Sequence, residues 1–418
     1  MQVISISVLK LIDDRKIWTN SNLWALAVGE TVAWAGLYYI FPAALLRWDT
    51  TFEWGIEKLS VGFSIALICS ALSGIFAGRL IDRGHSRKLM PISVLLGGIL
   101  LCLVPHVTQI WHFYVVWGAI GITLSGCLYE PCFSFLTKNY QDKARKPIIM
   151  VTLIAGFAST LCYPCFSWLS ESFGWHTAIY VFAISTCIIC VPSFLYGTSL
   201  EHTTISPETT KQDPFRAVTS SVIINPVFWG ILLVFIALAL NHGMIVSQIF
   251  PLLQSRELSN NYVVFFAACI GPMQVIGRLI LFSAENLMGR NISALKICAL
   301  CLVCLFVASS ILYKGSTSVV IIAIFIILQG GPHGLISIVR PIMTAEFMGR
   351  LNFGLISSMI AFGAVWGSAI APAISGSISE RLGYDSMMVA TATVALMGLG
   401  CLILILVLKN NSLRKSSI

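Results

Sequence analysis

The segment Ala77–Met90, AGRLIDRGHSRKLM, gathers Arg79, Asp82, Arg83, His85, Arg87 and Lys88 within an otherwise oily chain. Apolar runs flank it, at about 60–81 and 89–109. A helix needs about 20 apolar residues to cross a bilayer core, and each run is that long. Neither alternates with period two, so helices are expected rather than barrel strands. The charged segment therefore reads as a short loop between two membrane spans.

The rest of the chain extends this reading. Of 418 residues, 57% are hydrophobic and only 11% charged, whereas a soluble domain carries about 25% charged residues. The mean hydropathy is +0.87. Apolar runs fall at about 22–46, 60–81, 89–109, 112–136, 147–170, 176–197, 226–252, 262–283, 291–313, 317–341, 352–376 and 385–408, which predicts helices 1 to 12. The longest polar interval, 198–225, divides them six and six. The expected architecture is an all-α integral membrane protein. A bundle over 1–197 is joined by the 198–225 connector to a second bundle over 226–418 with a short tail.

Orientation follows from the positive charges. With the N-terminus in the cytoplasm, the outside holds only Arg47, Lys58, Arg256, Lys314 and Arg381, and the other 21 of the 26 Lys and Arg lie inside. Such a bias places both termini and the connector in the cytoplasm. The net charge of +8 is explained by this bias and by anionic lipid, without nucleic acid. The first 22 residues hold Lys10, Asp13, Asp14, Arg15 and Lys16 and do not read as a cleavable signal. The thirteen cysteines fall almost all inside apolar runs. They read as small packing residues and not as metal ligands.

The two halves repeat each other. Gly277–Ile280 restates Gly78–Ile81 as GRLI, Ile249-Phe250-Pro251 matches Ile40-Phe41-Pro42, and Arg340-Pro341 matches Glu130-Pro131. Duplicated six-helix halves are a secondary-transporter architecture, with cargo held near the midplane.

The loop between helices 2 and 3 resembles the signature of the major facilitator superfamily, roughly G-x-x-x-D-R-x-G-R-K. Gly78, Asp82, Arg83, Gly84, Arg87 and Lys88 carry the match, in a loop one residue longer than usual. The preceding segment is similar to bacterial members near the monocarboxylate and oxalate:formate branch. The resemblance implies alternating access by two pseudo-symmetric six-helix bundles. It also implies that Asp82 latches the halves on the cytoplasmic side, against the start of helix 11 near Asn352 to Gly354. A carboxylate suits that place, because a helix N-terminus attracts negative charge. Gly78 permits close packing, while Arg83, Arg87 and Lys88 complete the gate or anchor to lipid phosphate.

Charged and polar groups inside the spans are the candidates for cargo and proton handling, since burying them in a membrane is costly. Glu30 in helix 1 is the candidate for proton coupling, a buried carboxyl being able to load and release a proton; a structural hydrogen bond is the alternative. Arg278 of helix 8 keeps its charge and can grip a carboxylate, and Gln274 lies on the same face. The monocarboxylate and oxalate carriers resemble this in having a helix 8 arginine on the translocation path. The alternative is that Arg278 merely copies Arg79. Helix 11 lacks the lysine that oxalate carriers add, which argues against a dianion. His242 of helix 7 can change charge near neutral pH or simply pack. The run Gly330-Gly331-Pro332-His333-Gly334 predicts a break in helix 10 that turns His333 toward a cavity. Trp34, Tyr38 and Tyr39 either floor the binding site or pack. Glu130 and Arg340, at repeat-equivalent positions with opposite signs, are expected to pair.

These readings converge on a proton-linked carrier of a small organic anion such as a monocarboxylate, functional as a monomer in a bacterial inner membrane. An exporter of a drug, metallophore or other secreted metabolite is the alternative, though helix 5 keeps Pro164 without the paired glycines of drug antiporters. A non-transporting membrane sensor is the alternative of another class. No nucleophile constellation, metal set, cofactor motif or Walker loop is present, so no enzyme is expected.

Overall fold

The computed structural model describes residues 17–199, 215–313 and 318–416. Of the expected connector, residues 200–214 lie outside the described residues, as do Lys10, Arg15, Lys16 and Lys314 among the orienting charges. Among the described residues every regular element is a helix. Eleven stretches are long and apolar enough to cross a membrane. The first six are α1 (Ser21–Phe52), α2 (Ile56–Asp82), α3 (Ser86–His106), α4 (Ile110–Tyr140), α5 (Arg145–Phe173) and α6 (Trp175–Gly197). Next come α7 (Pro226–Gln254), α8 (Asn260–Met288), α9 (Ala294–Leu312) and α10 (Val319–Met348). The last stretch, Phe353–Leu408, turns at Gly383, whose φ of 83° and ψ of 169° leave the helical region. It therefore supplies two spans, α11 (353–382) and α12 (384–408), and the expected twelve are present. A positive φ of this size suits glycine, which has no Cβ to clash.

The helices divide into two compact units: Met1–Gln212 with Arg350–Met359, and Asp213–Gly349 with Ile360–Ile418. In the first unit α2 and α3 pack on α4, α1 packs on α5 and α6, and α3 packs on α6. Its core includes Trp48, Phe113, Trp117 and Phe133. In the second unit α7, α8 and α9 all pack on α10, around Phe325, Ile326, Met387 and Met388.

The duplication extends to the caps. Asn20 opens α1 by accepting the amides of Asn22 and Leu23 at 3.0 and 3.3 Å, and the Trp24 indole donates back to the Trp18 carbonyl at 2.7 Å. Asn225 opens α7 by accepting the amide of Val227 at 2.9 Å, and the Trp229 indole donates to the Ile223 carbonyl at 2.7 Å. Each asparagine satisfies amides that no helical carbonyl reaches. Each tryptophan ties its helix to the chain that enters it.

Local geometry departs from the sequence reading in three places. Trp34–Tyr39 of α1 is π-helical, a widening that recurs at functional sites in other proteins. A second π-helical turn, Thr186–Cys190 of α6, meets it: a side chain on Gly36 would collide with the Thr186 hydroxyl. Span α4 is interrupted at Leu128, which is extended (φ −96°, ψ −159°) between helices Ile110–Cys127 and Tyr129–Tyr140. Pro131 accounts for the interruption, because its ring excludes the carbonyl four residues back and it has no N–H to donate. The expected break in α10 is absent. The helix runs continuously from Val319 to Met348 through Pro332 and Pro341. Its glycines serve contact with α8: a side chain on Gly334 would strike the Gln274 carbonyl, and one on Gly277 would strike the Gly331 carbonyl.

Candidate functional site

In the first unit the loop between α2 and α3 holds Gly78 and Asp82 against the start of α11. The Asp82 Oδ1 accepts the amide of Gly354 at 2.8 Å, and its Oδ2 accepts that of Leu355 at 3.0 Å. These are amides of the first helical turn, whose donors have no helical partner. The carboxylate therefore meets both the free N–H groups and the positive end of the helix dipole. Gly78 makes the approach possible, because a Cβ there would collide with the Gly354 carbonyl. The Lys138 ammonium donates to the Asp82 backbone carbonyl at 3.2 Å, closing the C-terminal end of α2. Arg83, Arg87 and Lys88 are exposed. Beside this contact, Glu130 accepts the Ser357 hydroxyl at 3.1 Å. The break at Leu128 places Glu130 in the first turn of its half-helix, where a negative charge is favoured.

Deeper in the same unit lies Glu30, fully buried in α1. No hydrogen bond of normal geometry reaches either of its carboxyl oxygens. Its polar neighbours are the Cys132 thiol and the Trp34 indole, with Cys127 and Cys190 close by. Trp34 begins the π-helical turn and opens an aromatic cluster. Its ring centroid is 4.8 Å from that of Tyr38, 6.0 Å from Tyr39 and 4.7 Å from Tyr129. Tyr39 in turn meets Tyr163 at 6.1 Å. The cluster joins α1, α4 and α5, so it is assembled by tertiary structure. Tyr129 and Tyr163 escape a sequence reading because neither is polar enough to stand out in a span.

In the second unit His242 of α7 and His333 of α10 stack face to face, with ring centroids 3.3 Å apart and planes 8° apart. A buried amide relay adjoins them. Gln329, one turn before His333, donates to Asn241 at 3.1 Å, and Asn241 donates to the Thr391 carbonyl at 2.9 Å. The Thr391 hydroxyl donates to Ser309 at 2.9 Å. The sequence reading offers each histidine as a separate candidate and does not pair them. Arg278 is buried, and its Nε donates to the Gly334 carbonyl at 2.9 Å. Gln274 is half-buried one turn earlier. Arg340 lies two turns beyond His333 on α10 and belongs to this unit, whereas Glu130 belongs to the first.

Comparisons with known proteins agree with this arrangement of helices. The chain is 21% identical to "Uncharacterized MFS-type transporter YcxA" of Bacillus subtilis (strain 168), over 77% of this chain and 78% of that protein. It is 28% identical to "Multidrug resistance protein MdtG" of Dickeya zeae (strain Ech586), over 40% of this chain and 43% of that protein. The sequence pattern of the Major Facilitator Superfamily matches residues 26–322. Twelve spans, a duplicated helix entry and this match leave one conclusion: the chain belongs to the Major Facilitator Superfamily, whose members are multi-pass carriers of small molecules and not enzymes.

Proposed function

We propose that this chain is a proton-linked carrier of a small organic anion, working by alternating access in a bacterial inner membrane with both termini in the cytoplasm. The observation that carries the reading is Glu30, a buried carboxyl that no hydrogen bond of normal geometry reaches. A charge left uncompensated in such a place is costly. A carboxyl that gains and loses a proton as its surroundings open and close turns that cost into coupling. The Trp34 indole links it to the aromatic cluster, so occupancy of the cluster and protonation of Glu30 act on one another. Arg278 supplies a permanent positive charge for a carboxylate cargo. The resemblance of the segment before the helix 2–3 loop to the monocarboxylate branch fits the same cargo.

Asp82, Gly78, Arg83, Arg87 and Lys88 act as the cytoplasmic gate in this reading. The paired amide contacts of Asp82 support it, because they release only when the start of α11 moves away.

Export of a drug-like compound is the second reading. The similarity to a multidrug resistance protein and the aromatic cluster beside Glu30 favour it. Flux in oriented vesicles separates the two. Right-side-out vesicles accumulate the cargo of a symporter when the outside is acidified, whereas inverted vesicles accumulate the cargo of an exporter. Arg278→Gln abolishes anion flux under the first reading, and full flux in that variant moves the assignment to the second.

A further inference from the structure

A groove of about 240 Å³ lies in the first unit between α3 and α6, lined by residues from Gly98 to Cys102 and from Ala183 to Ile188. Gly98 and Ala183 are buried and form its floor. Ile99, Ile184 and Ile188 are 51%, 53% and 67% exposed and form its rims. Cys102 and Cys187 lie part-buried between floor and rim. Two local features build it. Gly98 lets the helices approach, since a side chain there would strike the Cys187 thiol. On the other wall, α6 widens into the π-helical turn Thr186–Cys190.

The position of the groove narrows what can fill it. Both walls are membrane spans, and the lining residues fall well inside them, away from the span ends. Each lining residue is Gly, Ala, Ile or Cys, so the groove offers a polar ligand no strong hydrogen-bonding side chain. A helix of a second chain is too large: one turn, about 10 Å across with a 5.4 Å pitch, fills roughly 400 Å³. A hydrocarbon chain is thin, flexible and already present at this depth.

The reason for a chain to stay is packing. Lipid tails are as apolar as isoleucine, so no hydrophobic force separates the groove from the lipid around it. On a flat helix face a chain touches protein on one side. In the groove it touches the floor and both rims, and each added atom pair contributes dispersion attraction. The rims also continue the lipid-facing surface of the two helices, through Leu95 and Leu96 on α3 and Val181 on α6.

We propose that the groove between α3 and α6 is a binding site for one acyl chain of a membrane phospholipid. The site shares a turn of α6 with the aromatic cluster of α1: the turn that lines the groove through Cys187 and Ile188 also receives Gly36, in the π-helical turn that carries Trp34, Tyr38 and Tyr39. The proposal needs neither the proton-linked nor the export reading.

Photolabelling tests it. Full-length protein is reconstituted in vesicles of phosphatidylcholine and phosphatidylglycerol, with a fraction of the phosphatidylcholine carrying a diazirine halfway along one acyl chain. After illumination, adducts are mapped by mass spectrometry of peptides. The rim residues Ile99, Ile184 and Ile188 are compared with Leu300 of α9 and Leu396 of α12, aliphatic residues of similar exposure (58% and 49%) outside the groove. The extra contacts are expected to raise the adduct yield at the rims about fivefold over those positions. In Cys102→Phe, whose ring fills the groove, the yield at the rims is expected to fall to that of Leu300 and Leu396, with the rest of the pattern unchanged. Equal yields at rim and control positions in the wild-type protein mean ordinary lipid contact and overturn the proposal. Yields at the rims below the controls mean that protein covers the groove, and overturn it as well. An undiminished excess in Cys102→Phe places the bound chain elsewhere and has the same consequence. If that variant does not fold, the wild-type comparison decides alone.

Discussion

The Asp82 carboxylate holds Gly354: its Oδ1 lies 2.8 Å from that amide nitrogen, and no side chain larger than hydrogen fits where Gly78 meets the Gly354 carbonyl. A charged acceptor and a close backbone contact thus act on the same turn of α11. Hydrogen bonds to charged groups contribute about 1.5–3 kcal/mol each in mutational series. Asp82→Asn keeps the size of the side chain but loses the charge and one acceptor. It is expected to weaken the state in which Gly354 is held by about 2 kcal/mol, roughly a thirty-fold shift in population. A cysteine introduced at position 355 reports this shift through its labelling rate with a membrane-impermeant thiol reagent. An unchanged rate in Asp82→Asn would show that the contact does not govern the equilibrium.

The glycine contacts between α8 and α10 predict a graded effect on stability. Gly277→Leu and Gly334→Leu force side chains into the Gly331 and Gln274 carbonyls. Overpacking of this kind costs typically 1–3 kcal/mol. Both variants are expected to lower the melting temperature of the purified protein. Gly271→Ala on the same α8 meets open space and is expected to be neutral, or stabilising by about 0.5–1 kcal/mol because alanine loses less entropy in a helix. Equal losses in all three would rule out the packing account.

Glu30→Gln removes the carboxyl while preserving shape. The neutral amide, beside the Cys132 thiol and the Trp34 indole, avoids any cost of burying a charge there, so thermal stability is expected to be unchanged or raised. Cargo exchange at equal pH on both sides is expected to persist, while accumulation driven by a pH gradient disappears. Loss of exchange along with accumulation would assign Glu30 to cargo binding or to structure.

The twelve spans are legible in the sequence because each needs an apolar run of bilayer length, a one-dimensional property. The turn at Gly383 that separates α11 from α12 falls in the polar gap between the last two runs. Asp82 is legible because its loop resembles the family signature, which implies a contact with the start of α11, and a carboxylate suits a helix N-terminus. Less can be read where proline is the signal. Pro131 interrupts α4 and Pro332 leaves α10 continuous, since the outcome depends on how neighbouring helices accommodate the freed carbonyl. The histidine stack and the meeting of Trp34 with Tyr129 are illegible for a different reason. They join residues more than 90 positions apart, and no local pattern encodes which faces of two helices will touch.

Cargo and protons are held to move together, and a proton readout tests this whichever acid the carrier takes. Proteoliposomes containing a trapped pH-sensitive dye are exposed in turn to a panel of small organic acids. The predicted result is that at least one monocarboxylate acidifies the lumen faster than in protein-free vesicles, and that Glu30→Gln removes the difference. Carrier-mediated uptake of a monocarboxylate with no accompanying proton, or with the same proton flux in Glu30→Gln, would contradict it.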